Sequence, residues 1–289
     1  MGARAAVTGA REAVRHLLGA EPTSAGSSVV TLDDGRRVMA KRGAGPGANA
    51  AEAAGLRWLA TGDVPVPEVY AHDETWLLME YVPSAQPTPE AARAFGRGLV
   101  ALHLRGAPAF GAAPPDGPRE AWIGLAPMHN TQEPDWPTFY ATHRIEPYLR
   151  SATDKGLLDA AETRVIGEVC ERIDALAGPA EPPARLHGDA WSGNLHWASD
   201  ALWLIDPAAH GGHRETDLAM MRLFGAPLLD VILDAYAEAA ADAGAPLADG
   251  WRERTGLHQL FPLLVLTVLF GGGYARQAVA AARSALALA

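Results

Sequence analysis

Beyond residue 90 the apolar positions recur at helical spacing almost without pause, and one stretch breaks the rhythm. Between Arg185 and Ile205, short runs alternate with turn-forming residues: Arg185-Leu186, Leu195-His196-Trp197 and Leu202-Trp203-Leu204-Ile205. Runs this short read as strands of a small β insert within a helical body. Around the insert, helices are expected over 90–104, 137–150, 155–177, 215–224, 227–242 and 251–270, with a last one after Gly273.

The first 83 residues follow another pattern. A helix is expected from Ala3 to Leu18, then a polar, small-residue stretch from Glu21 to Ser28. Asp33-Asp34-Gly35 separates Val29–Leu32 from Arg37–Ala40, which is a hairpin signal. Asn49 followed by Glu52 has the spacing of a capping box, predicting a helix from Asn49 to about Ala60. Val64-Pro65-Val66-Pro67 is held extended by its prolines, and Trp76 to Tyr81 is an apolar run of strand length. Three prolines between Pro83 and Pro89 mark a linker. The expected architecture is α+β, with a small β-rich lobe over 1–83 and a larger helical lobe over 84–289.

Charge and composition narrow the partners. The formal net charge is −10, which disfavours nucleic acid and anionic membrane as general partners. A single cysteine, Cys170, leaves no intramolecular disulfide and no cysteine-based zinc site. The longest apolar run, Leu260 to Phe270, contains Pro262 and falls short of the ~20 residues a bilayer requires. Met1 to Ala10 has no apolar core after its charges, so no signal peptide is expected. A cytoplasmic, monomeric protein is the expectation.

The densest cluster of reactive side chains lies in the β insert: His187-Gly188-Asp189-Ala190-Trp191-Ser192-Gly193-Asn194, then Asp206-Pro207 after the next strands. Carboxylate and amide oxygens on neighbouring loops suit Mg²⁺, which takes few protein ligands. In phosphoryl transfer from ATP, Asp189 would accept the proton of an attacking hydroxyl, while Asn194 and Asp206 would hold magnesium. Such chemistry calls for a strand lysine and a helix glutamate in the small lobe. Lys41 ends a predicted strand and Glu52 follows on the next helix. Of the 24 basic residues only Lys41 and Lys155 are lysines, so a lysine here is informative. The backbone near Glu80 and Val82 is placed to pair with adenine. The short Ser24–Ser28 loop, with Gly26 and Ser27, is the candidate phosphate cradle.

The run from His187 to Asn194, with Leu204-Ile205-Asp206-Pro207-Ala208 and Gly212-His213-Arg214-Glu215-Thr216-Asp217-Leu218-Ala219-Met220, resembles the fructosamine-3-kinase (ketosamine kinase) family. Trp122-Ile123-Gly124-Leu125, Asp135-Trp136 and Leu269-Phe270-Gly271-Gly272-Gly273-Tyr274 add to the likeness, which runs from about Gly26 to Tyr274. The resemblance implies a two-lobed protein-kinase-like fold. It also implies ATP-dependent phosphorylation of a ketosamine sugar hydroxyl, typically O3, leading to deglycation. It makes Asp217, with His187, the support of the catalytic loop. Trp191, His213 and Glu215 become candidates for contact with a small ketosamine or glycated amine. Three features depart from the family pattern, one being Ala209-His210-Gly211, where aromatic residues are frequent. The phosphate loop is short, with one glycine and no cysteine. Pro262 to Val268 is apolar where relatives often carry Asn and His, so an acceptor pocket built there would be more apolar or more open. The alternatives are a kinase of aminoglycosides or choline, for which Asp230, Asp234, Glu238, Asp242 and Asp249 would supply acidic groups, and a non-catalytic nucleotide-binding module.

Overall fold

The computed structural model describes residues 9–288. The helix expected from Ala3 appears as α1 (Ala10–Leu18), its first part lying outside the described residues. Five antiparallel strands follow: β1 (Pro22–Ala25), β2 (Val29–Leu32), β3 (Arg37–Arg42), then, after α2 (Ala48–Leu59), β4 (Val69–His72) and β5 (Trp76–Glu80). They form one sheet in the order β1-β2-β3-β5-β4. The Asp-Asp-Gly hairpin is present between β2 and β3. Strand β1 lies in the polar, small-residue stretch; Ser24 and Ala25 pair with Thr31 and Val30 beside a bulge at Thr23, whose hydroxyl donates to the Thr31 carbonyl.

Period-two alternation divides the sheet's side chains between two cores. Val38, Ala40, Trp76 and Leu78 pack against Ala10, Ala13 and Val14 of α1. Met39, Leu77 and Met79 point to the opposite side, towards Leu56 and Leu59 of α2. Lys41 shares that second side, so its direction is fixed by the same alternation.

Helix α2 begins differently from the capping-box expectation. Its N-cap is Gly47, at φ 71, and no side chain caps it. Asn49 sits inside the first turn, where its buried amide donates to the Asp73 carbonyl at 3.0 Å. Glu52 turns to Lys41, so neither partner of the expected box is available for capping.

The chain leaves the sheet through the proline-rich segment, where Ala85 N–H donates to the Trp197 carbonyl. Thr88 then caps α3 (Pro89–Leu104) through Ala91 N–H. The region read as helical after residue 90 also contains a hairpin, β6 (Glu120–Ile123) with β7 (Ala126–His129), turning through Gly124 at φ 53. Its strands alternate buried Ala121, Ile123, Ala126 and Met128 with exposed neighbours, too briefly to stand out beside the helices.

The helix expected over 137–150 is three segments: α4 (Trp136–Phe139), a π-helical turn (Tyr140–Ile145) and α5 (Glu146–Asp154). Pro147 cannot donate to the His143 carbonyl, and the buried Arg144 side chain donates to it at 3.2 Å. The helix expected over 155–177 starts only at 160. Gly156 turns the chain at φ 67, and Asp159 with Glu162 forms a true capping box on α6 (Ala160–Glu171), followed by α7 (Ile173–Leu176).

The β insert is present as two antiparallel pairs. β8 (Ala184–Leu186) pairs with β11 (His210–Gly212), and β9 (Leu195–Trp197) with β10 (Leu202–Leu204). Four helices complete the body: α8 (Glu215–Leu223), α9 (Leu229–Asp242), α10 (Thr255–Phe270) and α11 (Gly273–Leu286). Pro262 lies inside α10 and cannot bond the His258 carbonyl. The buried Tyr140 hydroxyl shares its proton between the Leu257 and His258 carbonyls and accepts from Phe261 N–H. No helix among the described residues is long and apolar enough to cross a membrane.

Candidate active site

The loop between β8 and β9 is held from below. Asp217, near the start of α8 and fully buried, accepts the backbone N–H of His187 at 2.8 Å and of Gly188 at 2.9 Å. Burial alone would raise its pKa; the His103 hydrogen bond and charge interactions bring it below the ordinary carboxylate value. His103 on α3 lies 3.2 Å from the same carboxylate, with its other ring nitrogen 2.8 Å from the Tyr236 hydroxyl. Gly188, at φ 80, is required: a Cβ there would stand 2.2 Å from the Ala208 carbonyl oxygen. Burial lowers the pKa of His187 and keeps it neutral. Its Nε2–H donates to the Ile205 carbonyl at 2.9 Å, leaving Nδ1 to accept from Asp189 N–H. This loop is tied both to α8 and to the end of β10.

Asp189 is thereby presented to the cleft. The Asn194 amide donates to its carboxylate at 3.0 Å and to its backbone carbonyl at 2.8 Å. Burial pushes the Asp189 pKa up to about 7; Asn194 opposes the rise, while Asp206 and Asp217 add to it. A carboxyl poised near neutrality suits a general base. Because Asn194 turns its NH₂ to Asp189, its amide oxygen remains for a ligand.

Asp206 follows β10 in a left-handed conformation, φ 54, uncommon for any residue but glycine though tolerated by Asp. Its carboxylate lies 2.9 Å from Lys41 Nζ, which also contacts both Glu52 oxygens at 2.9 and 2.8 Å. The expected Lys41–Glu52 pair is therefore formed, and Asp206 joins it. Burial alone would push the lysine pKa down; the two carboxylates hold it above its ordinary value, so Lys41 stays charged. Asn194 and Asp206 offer hard oxygen donors beside the Lys41 ammonium, a set that fits Mg²⁺.

Two clefts meet at this cluster. One of about 600 Å³ runs under the sheet and is lined by Ser27, Lys41, Glu80, Val82, His196 and Asp206. It brings together the small-lobe residues expected at nucleotide except Glu52, which lines the adjoining cleft, and Gly26, whose N–H is bonded to the Val29 carbonyl in the β1–β2 turn. His196 lies 2.9 Å from the Val82 carbonyl and ties the β insert to the linker. The second cleft, about 490 Å³, is lined by Lys41, Glu52, Trp122, Asp189, Trp191 and Asn194. Trp191 is 37% exposed, its ring set against Phe224. A Cβ on Gly193 would meet that ring at 2.2 Å, which accounts for glycine there.

His213 and Glu215 are not where the acceptor expectation puts them. They are 3% and 2% exposed, and neither lines a cleft beside Asp189. Arg254 takes both Glu215 oxygens, at 2.9 and 2.6 Å. Burial alone would raise the Glu215 pKa, but His258 and Arg254 bring it down to about 2. Burial pushes His213 down to about 3, so it is neutral. The Arg254–Glu215 pair ties the start of α8 to the start of α10. Sequence reasoning also gave no role to His103, Tyr236, His196 or the β6–β7 hairpin. Trp122, on that hairpin, donates to the Pro46 carbonyl and thus touches the β3–α2 loop. Its place in Trp122-Ile123-Gly124-Leu125, part of the family resemblance, was the one available signal for it.

A β-sheet lobe with a Lys–Glu pair, set over a helical lobe that carries an Asp-x4-Asn loop and a following Asp, is the arrangement of a kinase-like phosphotransferase. The same fold occurs in the macrolide 2'-phosphotransferase of Brachybacterium faecium, with a TM-score of 0.59, 93% of this chain and 95% of that one covered, at 17% identity, which speaks for fold alone. The chain belongs to the fructosamine kinase family, whose model matches residues 38–287. It is 32% identical over 229 residues to a probable ketoamine kinase of Thermus thermophilus, covering 79% of each. It is 46% identical to a candidate fructosamine-3-kinase of Thermobifida fusca, whose crystal structure matches with a TM-score of 0.89 over 96% of this chain and 98% of that one.

Proposed function

We propose that this phosphotransferase moves the γ-phosphoryl group of ATP to a sugar hydroxyl of a small ketosamine, with residues 1–83 as the nucleotide-binding lobe and 84–289 as the catalytic and acceptor-binding lobe. The observation that carries this reading is the position of Asp189. Its carboxyl, with pKa near 7, faces the cleft that continues past Lys41 into the one under the sheet. In the mechanism, ATP lies under the sheet with its adenine at the backbone of Glu80 and Val82. Ser27 stands by the phosphates, and Lys41, steadied by Glu52, holds them as a compact cation. Asn194 and Asp206 would hold magnesium, which neutralises charge on the phosphates. Asp189 orients the acceptor hydroxyl and takes its proton as the oxygen attacks. Trp191 offers the sugar an aromatic face. The phosphorylated ketosamine then eliminates inorganic phosphate, and water releases the amine from the remaining deoxydicarbonyl sugar, so the outcome is deglycation.

The aminoglycoside alternative draws less support. Asp230, Asp234, Glu238, Asp242 and Asp249 line neither cleft beside Asp189, and Asp234 is paired with Arg252 at 3.2 Å. A non-catalytic module would not need Asp189 or Asn194 in this geometry. ADP formation measured with fructosyl and ribulosyl amines, free sugars, choline and an aminoglycoside tests the reading. Turnover is expected with the ketosamines; a response to choline or the aminoglycoside alone would overturn it.

A further inference from the structure

Beside Asp189 the acceptor cleft opens into a third cavity of about 380 Å³. Gly124, Leu125, Asp189 and Trp191 line both spaces, so a hydroxyl at Asp189 and a substituent in the chamber can belong to one molecule. The chamber wall is built by Leu125, Phe224, Val265, Leu269 and Phe270, with Trp191 at the junction. No lining side chain other than Asp189 carries a charge. An amino-acid substituent would bring a carboxylate and an ammonium into it with nothing to pair them, at a desolvation cost.

The rim is apolar as well. Of six large hydrophobic side chains exposed among the described residues, four belong to this chamber: Leu125 at 63%, Phe270 at 64%, Phe224 at 45% and Trp191 at 37%. Clustered exposure of this kind marks a surface that something apolar covers. The far wall is fixed by backbone: Gly271 and Gly272, at φ 64 and 61, turn α10 into α11 directly behind Phe270.

We propose that the chamber holds the amine substituent of the acceptor and that this enzyme acts on ketosamines of apolar amines, with an alkyl or aryl group on nitrogen, in preference to those of free amino acids. The proposal rests on the ketosamine reading above and adds the identity of the amine. The sugar end stays at Trp191 and Asp189, while the nitrogen substituent passes between Leu125 and Phe224.

The test compares kcat/KM for fructosyl-hexylamine, fructosyl-phenethylamine, fructosyl-glycine and Nα-fructosyl-lysine in the wild type and in Phe270→Glu, at a side chain 64% exposed. The two apolar adducts are expected to exceed the amino-acid adducts by roughly 10–100-fold, mostly through KM. In Phe270→Glu that ratio is expected to fall by about tenfold. Equal kcat/KM across the four adducts, or preference for the amino-acid adducts, overturns the chamber assignment and leaves the ketosamine reading standing. An unchanged ratio in Phe270→Glu, with the melting temperature unchanged, overturns the assignment as well. Failure of all four adducts beside turnover of choline or an aminoglycoside removes the underlying reading, and the proposal with it.

Discussion

Asp189 has its pKa pushed up to about 7 by burial, against 3.8 for an ordinary aspartate, and this bears on stability as well as rate. Between those values the folded chain keeps a proton that the unfolded chain has lost. Stability therefore falls as pH rises through that window and stays low above pH 7, by up to ~4 kcal/mol. Asp189→Asn removes the ionisation. In EDTA the variant is expected to melt above the wild type at pH 8 and level with it near pH 4, as calorimetry would record. Its kcat is expected to fall by ~10²–10⁴-fold with nucleotide binding retained, because the carboxylate serves the acceptor. A melting difference independent of pH would count against this account of the residue. Lys41 sits between two carboxylates at hydrogen-bonding distance. Lys41→Arg is expected to fold yet lose most activity, because a planar fork cannot occupy the place of a point charge there. Lys155, whose Nζ reaches the Val268 carbonyl at 3.3 Å on the surface, is the control. Near-wild-type kcat/KM in Lys41→Arg would remove the clamp role.

At the scale of elements, the prolines inside the helical body each leave a carbonyl without its usual donor, and a neighbouring side chain replaces it. Arg144 does so for Pro147, and Tyr140 for Pro262. Tyr140→Phe leaves the Leu257 and His258 carbonyls and Phe261 N–H without that hydroxyl, in a fully buried place. A cost of ~1–3 kcal/mol is expected in denaturant titration; no measurable loss would mean that α10 carries its own kink. The reading of separate elements from sequence succeeded where a local signal was strong. Asp-Gly gave the β2–β3 hairpin, and short apolar runs gave β3, with Lys41 near its end, and β5. It failed where a distant contact took over a local residue. Asn49 and Glu52 have capping-box spacing, but Asp73 and Lys41 claim their side chains. The four-residue strands β6 and β7 carry too short an alternation to be told from their helical surroundings.

In the whole molecule, the candidate site was legible because it is concentrated: Asp189, Asn194 and Asp206, which meet at one cleft, fall within eighteen residues of one another. What supports it was not, because the support comes from across the chain. His103 reaches Asp217 over 114 positions and His187 reaches Ile205 over 18. His213 and Glu215 were drawn towards the acceptor by their place in a motif, yet their neighbour in space, Arg254, is 39 residues past Glu215. The most direct measurement is ³¹P NMR of the wild type with Mg-ATP and a fructosyl amine, followed from the first minutes. The account predicts a phosphate-ester signal on the ketosamine sugar that grows with ADP before inorganic phosphate appears, and that is missing with Asp189→Asn. ADP and inorganic phosphate rising together, with no sugar ester and no dependence on the ketosamine, would contradict it.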